Sequence, residues 1–131
     1  MRLLLDTHIA LWAFVNDQRL PPKARDLIAD MENEIFVSTA SLWEIAIKHP
    51  LARGLRSDMP ISAQQAVDYC RRAGYQLKDL SVIDILGVEA LPALHADPFD
   101  RILIAQALAT PLRLVTHDPT VARYSDSIIR V

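Results

Sequence analysis

The chain has 131 residues, of which 51% are hydrophobic, and it carries a formal net charge of −2 at neutral pH. A chain of this length can bury a full core without disulfides or metals, so the length predicts one domain over residues 1–131. Cys70 is the only cysteine, which excludes an internal disulfide and fits a reducing compartment. The mildly acidic balance argues against nucleic-acid binding through bulk positive charge, but it does not exclude a site where metal ions supply that charge.

The N-terminal segment, MRLLLDTHIALWAFVND, contains one basic residue and an apolar run that Asp6 and His8 interrupt. Such a segment is too short and too polar for a membrane span, and it makes a poor signal peptide. We therefore expect a cytoplasmic protein without a membrane partner.

Strand patterns and helix patterns alternate through the first half of the chain. RLLLD is a short apolar run that predicts a buried strand, and EIFVS predicts a second one. Three helices are predicted around these strands, each with an apolar stripe. They are THIALWAFVND (Ile9, Trp12, Ala13), PPKARDLIADMEN after two prolines (Ala24, Leu27, Ile28, Met31) and TASLWEIAIKHPLARG as far as Pro50 (Leu42, Ile45, Ala46).

The second half continues the alternation. It begins with a predicted helix, ISAQQAVDYCRRAG, with Gly74 as its C-cap, followed by a weaker strand, QLKDLSV, and a short helix, VIDILGVEALPAL. A further helix, DPFDRILIAQALA, then leads into a strand, LRLVT. The chain closes with a turn or short helix, DPTVARYS, and an edge strand, SIIRV. This order predicts an α/β fold, a three-layer α/β/α sandwich with a mainly parallel central sheet. Ligands of such sheets bind beyond the carboxyl ends of the strands.

Four acidic residues are candidates for that edge of the sheet. Asp6 ends the first strand, Glu44 lies about one turn into the helix after the second strand, and Asp118 directly follows LRLVT. Asp100 lies in the first turn of its helix, and it joins the others if that helix begins beside the same edge.

Each acid also has a purely structural interpretation. Asp6 would cap the first helix, and Glu44 would form a capping box with Ser41. Asp97, followed by proline, is a helix N-cap, and Asp118, also followed by proline, opens a turn. If the acids were only caps, the chain would be a non-catalytic partner or signalling domain.

Taken together, the four acids favour a metal site. Carboxylates gathered at one edge repel each other and raise their own pKa values unless cations neutralise them. Mg²⁺ and Mn²⁺ prefer oxygen ligands, and one or two such ions can activate a water against a phosphodiester. In DPFDR, Asp97 would cap the helix and Asp100 would use that helix as a rigid mount for metal binding.

Four motifs, LLLDTHIALW, SLWEIAIK, HADPFDRILIAQA and LVTHD, span nearly the whole chain. In this order the set resembles the PIN domain family, and specifically its VapC-type toxins. The resemblance implies a compact α/β/α fold and a Mg²⁺- or Mn²⁺-dependent endoribonuclease, with the catalytic and metal-binding quartet Asp6, Glu44, Asp100 and Asp118. It also implies a small cognate antitoxin protein. We expect the substrate to be single-stranded or loop RNA.

The antitoxin is expected to lay apolar residues into a groove between helices and to bring a basic side chain to the acids. Because half of the chain is hydrophobic, we also expect exposed apolar helix surface and hence a homodimer.

Secondary candidates surround the quartet. Thr7 and Thr116 would either hydrogen-bond a metal-bound water or, as is commoner at strand ends, cap. Arg101 would pair with Glu44 as a supporting ion pair or touch a phosphate. Lys48, four residues after Glu44, would form a helical pair or meet RNA at the rim.

The aromatic and histidine residues are given structural roles. His95 and His117 lie near the site in sequence, but hard oxygen ligands make histidine an unfavoured partner for these metals, so satisfied polar groups are expected. Trp12 and Trp43 are expected in the core instead of on a base-stacking surface.

Other phosphate-handling folds fit the sequence less well. A haloacid-dehalogenase-like phosphatase requires a second aspartate two residues after the first, where this chain has His8. A receiver module requires paired acids at the first strand end and a lysine after the fifth strand, and both are missing. A PIN-type nuclease in RNA processing and a non-catalytic partner domain stay open.

Overall fold

The structure is a computed structural model that describes residues 1–51 and 59–131. The strands are β1 (Arg2–Leu5), β2 (Glu34–Ser38), β3 (Gln76–Lys78), β4 (Arg113–Thr116) and β5 (Ile129–Arg130). The helices are α1 (Thr7–Phe14), α2 (Pro22–Ala29), α3 (Thr39–Lys48), α4 (Ala63–Ala73), α5 (Val82–Glu89), α6 (Pro98–Ala109) and α7 (Pro119–Ala122), and a 3-10 turn (His49–Leu51) follows α3. The last residues of the predicted helix TASLWEIAIKHPLARG, 52–54, lie outside the described residues.

The strands form one sheet in the order β3-β2-β1-β4-β5, and every pairing is parallel. In the centre, Leu4 of β1 is in register with Phe36 of β2 and with Leu114 of β4. The predicted α/β fold with a parallel sheet is therefore confirmed, and β5 is an edge strand as expected. Because all strands point the same way, their carboxyl ends meet at one edge.

The side chains of β1 divide the core into two layers. Leu3 and Leu5 pack on one face with Ile9 of α1, and Leu4 packs on the other face with Leu103 of α6. These side chains are fully or almost fully buried, as expected for a central strand covered on both faces. Burial of both faces holds the carboxyl end of β1 in the middle of the sheet edge.

Helix α3 begins at Thr39 as the sequence predicts, but its cap differs from the predicted one. The capping box of Ser41 with Glu44 is wrong, because the helix begins at Thr39 and the Ser38 hydroxyl accepts the cap hydrogen bond from the Ala40 N–H at 3.0 Å. Ser41 lies inside the helix, where its Oγ is 2.9 Å from the Thr7 Oγ1. Glu44 is therefore free of any capping role.

Two apolar stripes are shorter than predicted. Helix α2 ends at Ala29, so Met31 lies beyond it and is 97% exposed. In α3, Ile45 is buried but Ala46 is exposed. Gly74 does cap α4 as predicted, with a φ of 77° that favours glycine.

In the part of the chain that the structure describes, no helix combines the length and the apolar character needed to cross a membrane.

Candidate metal centre

A cleft of about 480 Å³ opens at the carboxyl edge of the sheet. Among the described residues, five carboxylates line it: Asp6, Glu44, Asp97, Asp100 and Asp118. The four acids proposed as the quartet thus border one cleft, because β1 and β4 are neighbours and α6 begins beside them.

Asp6 follows β1 and is buried at the base of the cleft. Its Oδ1 accepts a hydrogen bond from the Thr7 N–H at 2.7 Å, which caps α1, and its Oδ2 accepts one from the Thr116 hydroxyl at 2.6 Å. Burial raises the pKa of Asp6, although these two hydrogen bonds oppose the shift. The carboxyl group is therefore held in one orientation, in surroundings that disfavour its charge.

Glu44 projects from the second turn of α3 and is only 3% exposed. The Lys48 ammonium donates a hydrogen bond to Glu44 Oε2 at 2.6 Å. Glu44 Oε1 is buried and has no hydrogen-bond partner within the described residues. A buried carboxylate oxygen without a partner is costly, and this one belongs to a residue that lines the cleft.

The two aspartates of DPFDR have different positions. Asp97 Oδ1 accepts hydrogen bonds from the Phe99 and Asp100 N–H groups at 2.8 and 3.2 Å, so Asp97 is the N-cap of α6. Asp100, in the first turn of the helix, lines the cleft. Burial, together with the negative charges of Asp6 and Asp97, raises the pKa of Asp100 to about 7, against the opposing effect of His95. The helix therefore presents a carboxyl group whose ionised form needs a cation.

His95 lies closer to the acids than the sequence interpretation allowed. Its Nε2 is 2.8 Å from Asp100 Oδ2 and 3.2 Å from Asp118 Oδ2. Ligand atoms of these three residues all fall within 4.8 Å of one another, close enough for one metal ion. The sequence feature that indicates this contact is the position of His95 two residues before Asp97, the cap of α6. There the Asp97 N–H donates to His95 Nδ1 at 3.4 Å.

The secondary candidates have mainly structural contacts. Thr116 Oγ1 accepts from the Asp118 N–H at 3.1 Å while it donates to Asp6, so it caps a turn and orients a carboxylate. Thr7 pairs with Ser41. The predicted Arg101–Glu44 ion pair is wrong: the Arg101 guanidinium donates to backbone carbonyls at the end of α5 and in the loop before α6, including His95 O at 3.3 Å.

The two tryptophans are not equivalent. Trp12 is partly buried, packs against the core of the α1 face and also lines the cleft. Trp43 is 59% exposed, so its predicted core position is wrong. The Trp43 ring meets the Phe99 ring edge-on, with centroids 5.2 Å apart. His117 is exposed, and its Nδ1 lies 2.7 Å from Val131 O, as expected of a satisfied polar group.

A parallel α/β sheet with an acidic cleft at its carboxyl edge defines the class of this protein. The family model of the PIN domain matches residues 3–126, and the chain belongs to the PIN domain family. A search of curated proteins found no match to this sequence.

Solved structures that resemble the chain have the same fold at low sequence identity. One is a chain of the crystal structure of VapBC2 from Rickettsia felis bound to a DNA fragment from the promoter, with a TM-score of 0.66, 19% identity and coverage of 100% of this chain and 98% of that one. Another belongs to DNA-bound VapBC from Salmonella typhimurium, with a TM-score of 0.68, 15% identity and coverage of 100% and 97%.

The raised pKa of Asp100 predicts how the stability of the metal-free protein depends on pH. Between the ordinary value of 3.8 and about 7, the folded state holds a proton that the unfolded state releases. The free energy of unfolding should therefore fall as the pH rises through this window. Asp100→Asn should reduce the slope without abolishing it, because the pKa of Asp6 is also raised. Urea unfolding in EDTA at pH 5 and pH 7.5 measures the slope, with Asp26→Asn, which removes an exposed carboxylate on α2, as control. Equal slopes for Asp100→Asn and the unmodified protein would contradict this assignment.

Proposed function

We propose that this protein is a Mg²⁺- or Mn²⁺-dependent endoribonuclease that cleaves single-stranded or loop RNA in the cytoplasm. The unpartnered Glu44 Oε1, buried in a cleft with four aspartates, is the observation that carries the proposal. The rival interpretation, that the acids are only caps, accounts for Asp6, Asp97 and Asp118. It does not explain why Glu44 Oε1 is buried without a hydrogen-bond partner among the described residues, or why Asp100 lies where burial and neighbouring charges disfavour its ionised form. A divalent cation removes both difficulties.

The donor set fits a hard cation. Carboxylate oxygens from four residues, namely Asp6, Glu44, Asp100 and Asp118, would hold the ion, which is the chemistry that Mg²⁺ and Mn²⁺ select. Such an ion, when bound, supplies an activated water and stabilises the leaving oxygen of the phosphodiester. The chain itself orients the carboxylates: Thr116 fixes Asp6, and the Asp97 cap fixes the first turn of α6.

Cleavage of a single-stranded RNA should therefore require Mg²⁺ or Mn²⁺ and should stop in excess EDTA. Asp100→Asn should lower the rate by several orders of magnitude, because an amide is a poorer ligand than a carboxylate for these ions. Asp97→Asn is the matched control. Asparagine caps a helix about as well as aspartate, so this change should cost on the order of a few tenths of a kcal/mol and leave substantial activity.

The measurement is the cleavage rate of labelled RNA, with melting curves of each variant with and without Mn²⁺. Undiminished cleavage in excess EDTA would refute the metal-dependent mechanism. Loss of activity in Asp97→Asn with retention in Asp100→Asn would reverse the two roles, and no effect of either would leave the acids as caps.

We further propose that the protein is the toxin of a toxin–antitoxin pair. The similar folds occur in VapBC structures, and an exposed apolar stripe of Trp43, Ile47 and Leu51 runs along α3 and the turn after it. The stripe lies on the helix that carries Glu44 into the cleft. A small antitoxin that covers this stripe could place a basic side chain among the acids, where it would compete with metal.

Expression without a partner should arrest growth, whereas expression of Asp6→Asn should be tolerated, because the variant keeps the surface and loses a carboxylate of the centre. Sequencing of RNA 5′ ends after brief expression would identify the cut sites. If cells grow normally while they express the unmodified protein at a high level, the toxin assignment is refuted and the nuclease assignment survives. A PIN-type nuclease in RNA processing would then be favoured.

A homodimer is the remaining part of the proposal. Helix α5 exposes Val82, Ile83, Ile85 and Leu86, four large apolar side chains on one short helix, and exposed apolar patches often mark an interface. A two-fold dimer would cover it with the same face of a second copy.

Sedimentation velocity should accordingly show a dimer for the unmodified protein and a monomer for Ile83→Glu, since a charge buried in an apolar interface is strongly unfavourable. Met31→Glu is the control, because Met31 is exposed on a different part of the surface. A dimer that persists in Ile83→Glu would place the interface elsewhere.

A further inference from the structure

The Glu44 carboxylate is already half neutralised by a residue of its own helix. Its Oε2 accepts a hydrogen bond from the Lys48 ammonium at 2.6 Å, one helical turn further along α3. Its Oε1 has no partner within the described residues. A buried carboxylate needs a compensating charge. Lys48 supplies it at Oε2, and Oε1 is left without a partner among the described residues.

Lys48 is itself positioned to move. Its side chain is 40% exposed while that of Glu44 is almost fully buried, so the ammonium enters the cleft from its rim. The Nζ atom lies 5.2 Å from the centre of the Phe99 ring, a weak contact that does not fix its position. The flexible four-carbon stem of a lysine can swing while the helix stays in place.

An ammonium and a divalent cation cannot occupy the same carboxylate at low cost. Both seek the oxygens of Glu44, and in a confined cleft the two positive charges repel each other. We propose that Lys48 is an exchangeable counter-ion of Glu44 that leaves this carboxylate when a divalent cation binds and then contacts a phosphate of the RNA. The proposal rests on the proposed nuclease function. It adds a residue that binds first the Glu44 carboxylate and then an RNA phosphate.

The charges around the cleft explain why an RNA phosphate would need Lys48. The floor carries five carboxylates, which repel a phosphodiester. Among the described residues, the lysine and arginine side chains that line the cleft are Lys48 and Arg130. Released from Glu44, Lys48 stays at the rim next to the acidic floor, where a charge-assisted hydrogen bond to a phosphate oxygen is available.

Lys48→Met tests the exchange, with binding of Mn²⁺ measured in RNA-free protein by calorimetry. Loss of the competing ammonium should strengthen Mn²⁺ binding about fivefold, the effect of a half-exposed ion pair. In cleavage assays at saturating Mn²⁺ the KM for RNA should rise by about the same factor, because the phosphate contact is lost. Opposite effects on the two ligands are the signature, since a merely damaged site would weaken both.

Two further variants serve as controls. Arg2→Met removes one positive charge at the opposite edge of the sheet, where Arg2 pairs with Glu34, and it should change neither constant. Lys48→Arg keeps the charge and can hold a carboxylate with two hydrogen bonds, so it should not strengthen Mn²⁺ binding.

The outcomes separate this inference from the proposed function. If the unmodified protein binds no Mn²⁺, the nuclease proposal and this one both fail. If it binds Mn²⁺ and cleaves RNA, but Lys48→Met binds Mn²⁺ no more tightly or keeps the same KM, the exchange alone is refuted. Tighter Mn²⁺ binding by Lys48→Arg would also refute it, because the positive charge is unchanged.

Discussion

Repulsion among carboxylates at the carboxyl edge of the sheet is the constraint around which the site is arranged. A parallel sheet with β1 between β2 and β4 brings the residues after β1 and β4 together. Three different side chains partly offset this repulsion. Thr116 donates to Asp6, Lys48 to Glu44, and His95 bridges Asp100 and Asp118. None of these partners reaches Glu44 Oε1, so the negative charge in the cleft is only partly compensated.

Capping and metal binding are compatible uses of one aspartate, because a carboxylate has two oxygens. In Asp118, Oδ1 accepts from the N–H groups of the first turn of α7, and Oδ2 faces His95. In Asp6, Oδ1 caps α1 and Oδ2 faces Thr116. The cap fixes the rotation of the carboxyl group, which presents the other oxygen in a defined direction. The capping interpretation of these residues is therefore correct, and it does not compete with the proposed function.

The sequence predicts the sheet and the position of the four acids at its carboxyl edge, because both depend on local patterns. Short apolar runs such as RLLLD end at the residues that the fold then gathers at one edge. The cap of α3 differs from the prediction because Ser38 and Ser41 are both suitable caps, and only the hydrogen bonds decide between them. Trp43 was mispredicted because helical spacing identifies an apolar stripe without saying whether another element covers it. The contact of His95 with Asp118 depends on residues far apart in the chain, which local patterns cannot predict.

Arg101 illustrates how a residue can serve the site without touching the acids. Its guanidinium donates to the carbonyls of Val88, Pro92 and His95, and to the Tyr124 hydroxyl. These hydrogen bonds tie the end of α5 and the following loop to the first turn of α6. The same loop carries the His95 imidazole to within 2.8 Å of Asp100. Arg101, a charged residue in the DPFDR motif, thus acts by holding a loop in place, and direct contacts with the acids of the cleft are left to Lys48 and His95.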